Sequence, residues 1–378
     1  MNVLIAGDFC QKYRVDDAIK SKRFNDLFDE IKPVVEDADY SIVNFEFPIV
    51  LDSTRAIPIQ KCGPNLKGTI EAVDAIKYAG FNCCTLANNH ILDQGEQCCL
   101  DTKNQLENAT IDTVGVGENL EESGKTLYKK INGEILAIIN CCEHEFSIAT
   151  DTSAGANPLN PISQYYKIQE ARKNADYVLV IVHGGHEHFQ LPSLRMQETY
   201  RFFIDAGADA VVNHHQHCYS GYEVYKEKLI FYGLGNFLFD HLKKRNCIWN
   251  EGYMVSINFR KDTETDFRLF PYEQCKDTET IRLIKQIDSF ESILNKINNI
   301  IIDKNKLRES IEAYYEECIN VEKNIFTPYS NRILKKMYSL HMLPFLYTND
   351  QIVRIWNHTE CESHRDKLNY AFPKILRN

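Results

Sequence analysis

Six short apolar runs, at residues 3–6, 41–45, 83–86, 136–141, 178–182 and 210–212, are separated by stretches with helical periodicity. That alternation restricts the chain to a layered α/β fold. The run at 178–182, Val-Leu-Val-Ile-Val, is apolar on both faces, as a strand covered on both sides of its sheet must be. Helices are expected at 15–31, 69–78, 96–108, 162–173 and 194–205. The runs also end in an unusual way. Gly7-Asp8 follows the first, Glu46 the second and Asn88-Asn89-His90 the third, while His183 and His215-Gln216-His217 follow the last two. A strand end is where a rigid sheet displays chemistry on an exposed loop.

Taken singly, these residues have ordinary explanations: Asp8 as a turn residue, Glu46 as a solvated strand end. Taken together, they offer two carboxylates, an amide oxygen and three imidazoles. That set suits two divalent ions such as Mn, Fe or Zn better than a cysteine-rich structural zinc site. On an extended or turn backbone His215 and His217 point the same way, with His214 pointing elsewhere. His90, beside Asn89, is positioned to act as a general acid without being a ligand. Two metals held this way can activate water and stabilise the oxygens of an in-line displacement at phosphorus.

The balance of 43 basic against 53 acidic residues, a net charge of −10, argues against a nucleic-acid partner. The 13 cysteines are odd in number and mostly sit in apolar runs, so buried thiols in a reducing compartment are expected rather than disulfides. No apolar run approaches the roughly 18 residues that span a bilayer, and no leader pattern precedes the first strand. A cytoplasmic protein without a membrane anchor is therefore expected.

After Tyr222 the texture changes. Runs at 228–232, 236–239, 253–259 and 267–272 read as a β-meander forming a second sheet. From about residue 277, starting at Ile281, apolar residues recur at helical spacing, and a last helix is expected over 350–372. The expected organisation is one α/β domain at 1–275 and a helical extension at 276–378 packed on it. Glu360, Cys361 and His364 share a helix face at metal-ligand spacing, although i,i+4 charge pairs account for that segment as well.

The order of motifs resembles the metallophosphoesterase (calcineurin-like) superfamily, and within it the capsule-synthesis branch, the CapA or PGA-cap family. The resemblance rests on Gly7-Asp8, Asn44-Phe45-Glu46, Leu86-Ala87-Asn88-Asn89-His90 with Asp93 and Gly95, and His183-Gly184-Gly185-His186-Glu187. It continues through residues 207–217 to Tyr232-Gly233-Leu234-Gly235-Asn236-Phe237. It implies a four-layer αββα sandwich with a C-terminal helical extension and a dinuclear metal site at one sheet end. Asp8, Glu46 and His217 would hold one ion. Glu46, Asn89, His183 and His215 would hold the other, with Glu46 bridging. His90 would donate a proton or stabilise an oxyanion. Glu187, without a counterpart among the usual ligands, is assigned to substrate contact or general-base work. Cys10 stands where the superfamily usually has histidine, which weakens the first metal site, and Glu46 stands where it usually has aspartate.

The implied function is a metal-dependent hydrolase or transferase linked to capsular polysaccharide or poly-γ-glutamate synthesis. It would act on a small molecule or polymer precursor and work alongside capsule-synthesis proteins. Two alternatives stay open: a metal-assisted peptide or amino-acid epimerase, suggested by Cys10 and Glu187, and a non-catalytic partner in polysaccharide assembly.

Overall fold

The alternating runs form two facing sheets in a computed structural model that describes residues 1–261, 266–325, 331–344 and 346–375. In the first sheet β1 (Asn2–Cys10), β2 (Tyr40–Phe45), β3 (Cys83–Thr85) and β4 (Asp112–Val114) run parallel in that order. A separate two-residue ribbon joins β5 (Val116–Gly117) to β8 (Gly155–Ala156). The second sheet holds β6 (Leu127–Ile131), β7 (Glu134–Cys142), β9 (Tyr177–His183), β10 (Ala210–His214), β11 (Tyr222–Tyr225) and β12 (Lys228–Phe231). Its central strands β7, β9, β10 and β12 are parallel.

The chain then returns to the first sheet. There β13 (Asn236–Phe239) pairs parallel with the end of β1, and β14 (Glu251–Asn258), β15 (Asp266–Gln274) and β16 (Ile281–Leu283) add antiparallel strands. The four strands expected as one meander are thus divided between two sheets. The crossing point is Gly233-Leu234-Gly235, where Gly235 takes φ +80° and runs directly over Gly7. A Cβ on Gly7 would lie 1.9 Å from the Gly235 carbonyl oxygen, to which the Asp8 amide donates at 3.2 Å. Backbone meets backbone here, so no side chain can move aside. Gly7→Ala is expected to destabilise the protein by about 1–3 kcal/mol, measured as a lowered melting temperature; an unchanged one would mean the crossing tolerates a Cβ.

Helices α1 (Arg14–Lys20), α2 (Phe24–Phe28), α3 (Lys32–Glu36), α4 (Glu71–Ala79) and α5 (Glu96–Asn108) cover the outer face of the first sheet. After the short α6 (Leu120–Ser123), α7 (Pro161–Asn174) and α8 (Leu194–Asp205) cover the second. Strand alternation separates the layers. Val3 and Ile5 of β1 join the core shared with Ile138, Val180 and Val211 of the second sheet. Leu4 and Ala6 join the core shared with Ile19, Val73 and Ile76 of the helices. The result is a four-layer αββα sandwich.

The single helix expected at 15–31 is broken, because Lys22 takes a left-handed conformation (φ 54°) that ends α1. Ten of the thirteen cysteines are buried.

The C-terminal part contains α9 (Ile287–Ile302), α10 (Lys304–Ile325), α11 (Arg332–Ser339), α12 (Asn349–Glu360) and α13 (Glu362–Ile375). The helical periodicity expected from Ile281 begins only at Ile287, because Ile281 is buried in β16 paired with Gln274. Along α9, Phe290, Leu294, Ile297 and Ile301 form one buried stripe in the core of the second sheet. The expected last helix divides in two at Cys361, whose extended backbone (φ −66°, ψ 128°) cannot continue a helix. No helix among the described residues is long and apolar enough to cross a membrane.

Candidate metal centre and cleft

Asp8, Glu46, Asn89, His183, His215 and His217 come from the C-terminal ends of five parallel strands, three in one sheet and two in the other. In open parallel sheets this is where ligands bind. Local irregularity aims the side chains. The β1–β2 register slips between Ala6 and Asp8. His215 (φ 92°) and His217 (φ 55°) both have positive φ, which is strained for residues with a Cβ and tends to mark functional sites.

The donor atoms converge. His183 Nε2 lies 3.0 Å from Asn89 Oδ1, 3.1 Å from His215 Nδ1 and 3.8 Å from Glu46 Oε1. On the other side, His217 Nε2 lies 3.8 Å from Glu46 Oε1, and His217 Nδ1 lies 3.7 Å from Asp8 Oδ2. Donor atoms of Asp8, Glu46 and His183 all fall within 4.8 Å of one another. Ligands about 2.0–2.2 Å from a shared ion sit roughly 3.0–3.5 Å apart, which is close to the spacing found here.

Glu46 Oε1 provides the test of fit. It is fully buried, lies between two imidazoles, and has no hydrogen-bond partner among the described residues. A buried carboxylate oxygen left unpaired is costly unless a cation compensates it. Burial and then the charge of Asp8 raise the Glu46 pKa well above the usual carboxylate range. Burial, then His215, holds His183 well below the usual histidine value, and burial brings His217 down to about 4. Neutral imidazoles beside a stranded carboxylate form a donor set suited to divalent cations.

Surrounding groups fix the donors. Asn44 Nδ2 donates to Asp8 Oδ1 (2.7 Å), and the His215 amide donates to Asp8 Oδ2 (3.2 Å). Asn236 Oδ1 lies 2.9 Å from His217 Nδ1, which leaves Nε2 facing Glu46. Glu145 Oε2 accepts from Asn89 Nδ2 (2.7 Å), so the amide oxygen of Asn89 faces His183. Such outer partners set ligand orientation.

His90 Nδ1 lies 2.6 Å from Asp93 Oδ2, and Lys61 Nζ lies 2.5 Å from Asp93 Oδ1. Burial, then Lys61, lowers the His90 pKa. Lys61 gives no signal in the sequence, because it stands in an irregular segment with no periodic pattern; the His90–Asp93 spacing was the available signal.

Other residues lie apart from the donors. Cys10 is buried in the apolar core under the first sheet, and burial, then Glu46, raises its thiol pKa. It does not line the cleft. Glu187 lines the cleft, its side chain half exposed. His186 Nε2 bonds the Tyr315 hydroxyl (3.0 Å), and His214 Nε2 faces the Ala6 carbonyl (3.0 Å).

Three consecutive residues after β7 meet the C-terminal helices. The Glu143 carboxylate accepts from Arg195 (2.6 Å) and from the Ser363 hydroxyl (2.6 Å). The His144 amide and ring nitrogen meet Glu362, and Glu145 Oε1 meets His364 Nε2 (3.3 Å). Glu360 is exposed, so Glu145 takes its place beside Cys361 and His364 as a group of possible donors.

Burial alone would raise the Glu143 pKa, but the Arg195 charge and the hydrogen bonds from Ser363 and Arg195 bring it from 4.5 down to about 2. Its contribution to stability is therefore complete above about pH 4.5 and lost as pH falls toward 2. Arg195→Ala strands a buried carboxylate and is expected to cost about 3–5 kcal/mol. Urea unfolding from pH 6 to 2 checks both points: Glu143→Gln should flatten the acid limb, and an acid limb unchanged in that variant would refute the assignment.

The cleft in front of these groups has a volume of about 1000 Å³. Its walls include Asn89, His90, Glu187 and His215 from the sandwich and Arg354, His364 and Lys367 from the C-terminal helices.

The family described as "Bacterial capsule synthesis protein PGA_cap" matches residues 2–241. "Capsule biosynthesis protein CapA" of Bacillus anthracis is 33% identical over 246 residues, covering 64% of this chain and 60% of that protein. "PGA biosynthesis protein CapA" of Bacillus subtilis (strain 168) is 29% identical over 276 residues, 72% of this chain and 71% of that protein. Among solved structures, a hypothetical protein from Thermus thermophilus overlaps with a TM-score of 0.46 at 14% identity, covering 72% of this chain and 99% of that one. A putative 5'-nucleotidase from Staphylococcus aureus, in complex with alpha-ketoglutarate, overlaps with a TM-score of 0.44 at 13% identity, covering 79% and 58%. Overlaps this loose carry no functional weight.

Proposed function

The chain belongs to the PGA_cap family of bacterial capsule synthesis proteins, and from that premise we propose that it is a metal-dependent hydrolase or transferase serving capsular polysaccharide or poly-γ-glutamate synthesis. The observation that carries the proposal is the stranded Glu46 Oε1, buried at the meeting point of Asp8, His183 and His217. Glu46, Asn89, His183 and His215 would hold one divalent ion, and Asp8, Glu46 and His217 would hold the other. Mn, Fe and Zn all suit these donors. When bound, such ions polarise a phosphoryl or carbonyl oxygen and make water a better nucleophile.

The remaining work falls to the protein. Asp93 orients His90 through Nδ1, which leaves Nε2 to move a proton at the cleft. Lys61 neutralises Asp93 and so limits how strongly that carboxylate holds a proton on His90. Glu187, which lines the same cleft, would contact substrate. Glu145 holds the Asn89 amide in its ligating orientation. The test is turnover of a panel of phosphoesters by metal-free and Mn-reconstituted protein. Metal-dependent turnover lost in Asp8→Ala supports the proposal; equal rates with and without metal, or in Asp8→Ala, refute it.

A further inference from the structure

Beyond the donor cluster the cleft carries a second chemistry, supplied by helices that lie past the end of the family match at residue 241. Arg354 and His358 stand one turn apart on α12, and His364 and Lys367 one turn apart on α13; all four line the same cleft as Asn89, His90 and His215. The rings of His358 and His364 stack with centroids 4.5 Å apart, which brings the two pairs side by side. His364 continues through Glu145 to Asn89, so this wall is tied to the donor cluster by hydrogen bonds.

Among the described residues, the side chains of Arg354 and Lys367 have no ion-pair or hydrogen-bond partner. The chain as a whole has net charge −10, so two unpaired cations facing one cleft stand out. The cleft also holds acids: Glu145 is engaged with Asn89 and His364, Glu187 lies on the loop after β9, and Asp350 forms no ion pair with Arg354 among the described residues.

We propose that Arg354, His358, His364 and Lys367 form an anion subsite, so that the substrate of this centre carries a second anionic group, a carboxylate or a phosphate, besides the group presented to the metal donors. The proposal rests on reading the donor cluster as a metal-dependent centre. Arginine recognises either anion through paired N–H donors, and lysine adds a mobile point charge. A cleft of about 1000 Å³ also has room for an extended ligand.

The test is calorimetric titration of the Mn-loaded full chain with orthophosphate, tripolyphosphate and tri-glutamate, for wild type and the double variant Arg354→Gln/Lys367→Gln. At least one multiply charged probe is expected to bind about tenfold or more tighter than orthophosphate. The double variant should lose that preference while keeping orthophosphate affinity within about twofold. Which probe responds identifies the anion. A double variant that keeps the wild-type preference overturns the subsite, as does a wild type with no preference. If Mn and orthophosphate fail to bind but the double variant still weakens the multiply charged probe, the subsite stands and the metal-centre reading falls.

Discussion

Metal-free protein carrying Glu46→Gln is expected to melt several degrees above metal-free wild type, and to gain little when Mn²⁺ is added. In the wild type without metal, Glu46 places a partnerless carboxylate oxygen in the protein interior, beside Asp8 and facing two imidazoles at 3.8 Å. An unsatisfied buried polar group costs about 1–3 kcal/mol, and more when charged. The amide cannot carry a charge and brings N–H groups that can donate to neutral imidazole nitrogens. A bound ion should reverse the ranking, because it would stabilise the folded state by about 4 kcal/mol at a thousandfold excess over its dissociation constant, with Glu46 proposed as the shared ligand. Thermal melts in chelator and in Mn²⁺ measure both effects. A variant less stable than wild type in chelator, or one that gains as much from Mn²⁺, would remove Glu46 from the centre.

The second large effect is on turnover. His90→Asn should lower kcat on a responsive phosphoester by about 10²–10⁴ while leaving metal content at the wild-type level. The separation follows from geometry: His90 faces the cleft and is held by Asp93, whereas the converging donors come from its neighbour Asn89 and from other strands. Loss of metal in His90→Asn would make it part of the metal-binding framework, and an unchanged kcat would remove it from the chemistry.

The strand ends were legible in the sequence because each follows a run too apolar to be anything but a buried strand, so a carboxylate or imidazole at its end stands out. The same logic fixed the α/β layering. It failed where position depends on contacts distant in sequence. The run at 236–239 reads like its neighbours, yet the tight fit of Gly235 over Gly7 carries it into the other sheet. The helix break at Lys22 depends on one left-handed residue. Lys61 reaches Asp93 from an irregular segment, and Glu143 and Glu145 gain their partners from α8 and α13. No local pattern marks a carboxylate whose partner lies some 200 residues away. Cys10 shows the reverse case: its place in the motif suggested the site, but its side chain packs in the apolar core.

The most direct test of the central claim is the metal content of the purified full chain after reconstitution, measured by inductively coupled plasma mass spectrometry beside His215→Ala. About two equivalents of Mn, Fe or Zn are expected in wild type, with a clear loss in the variant. Wild type that retains no metal, or a variant that retains as much as wild type, would contradict it.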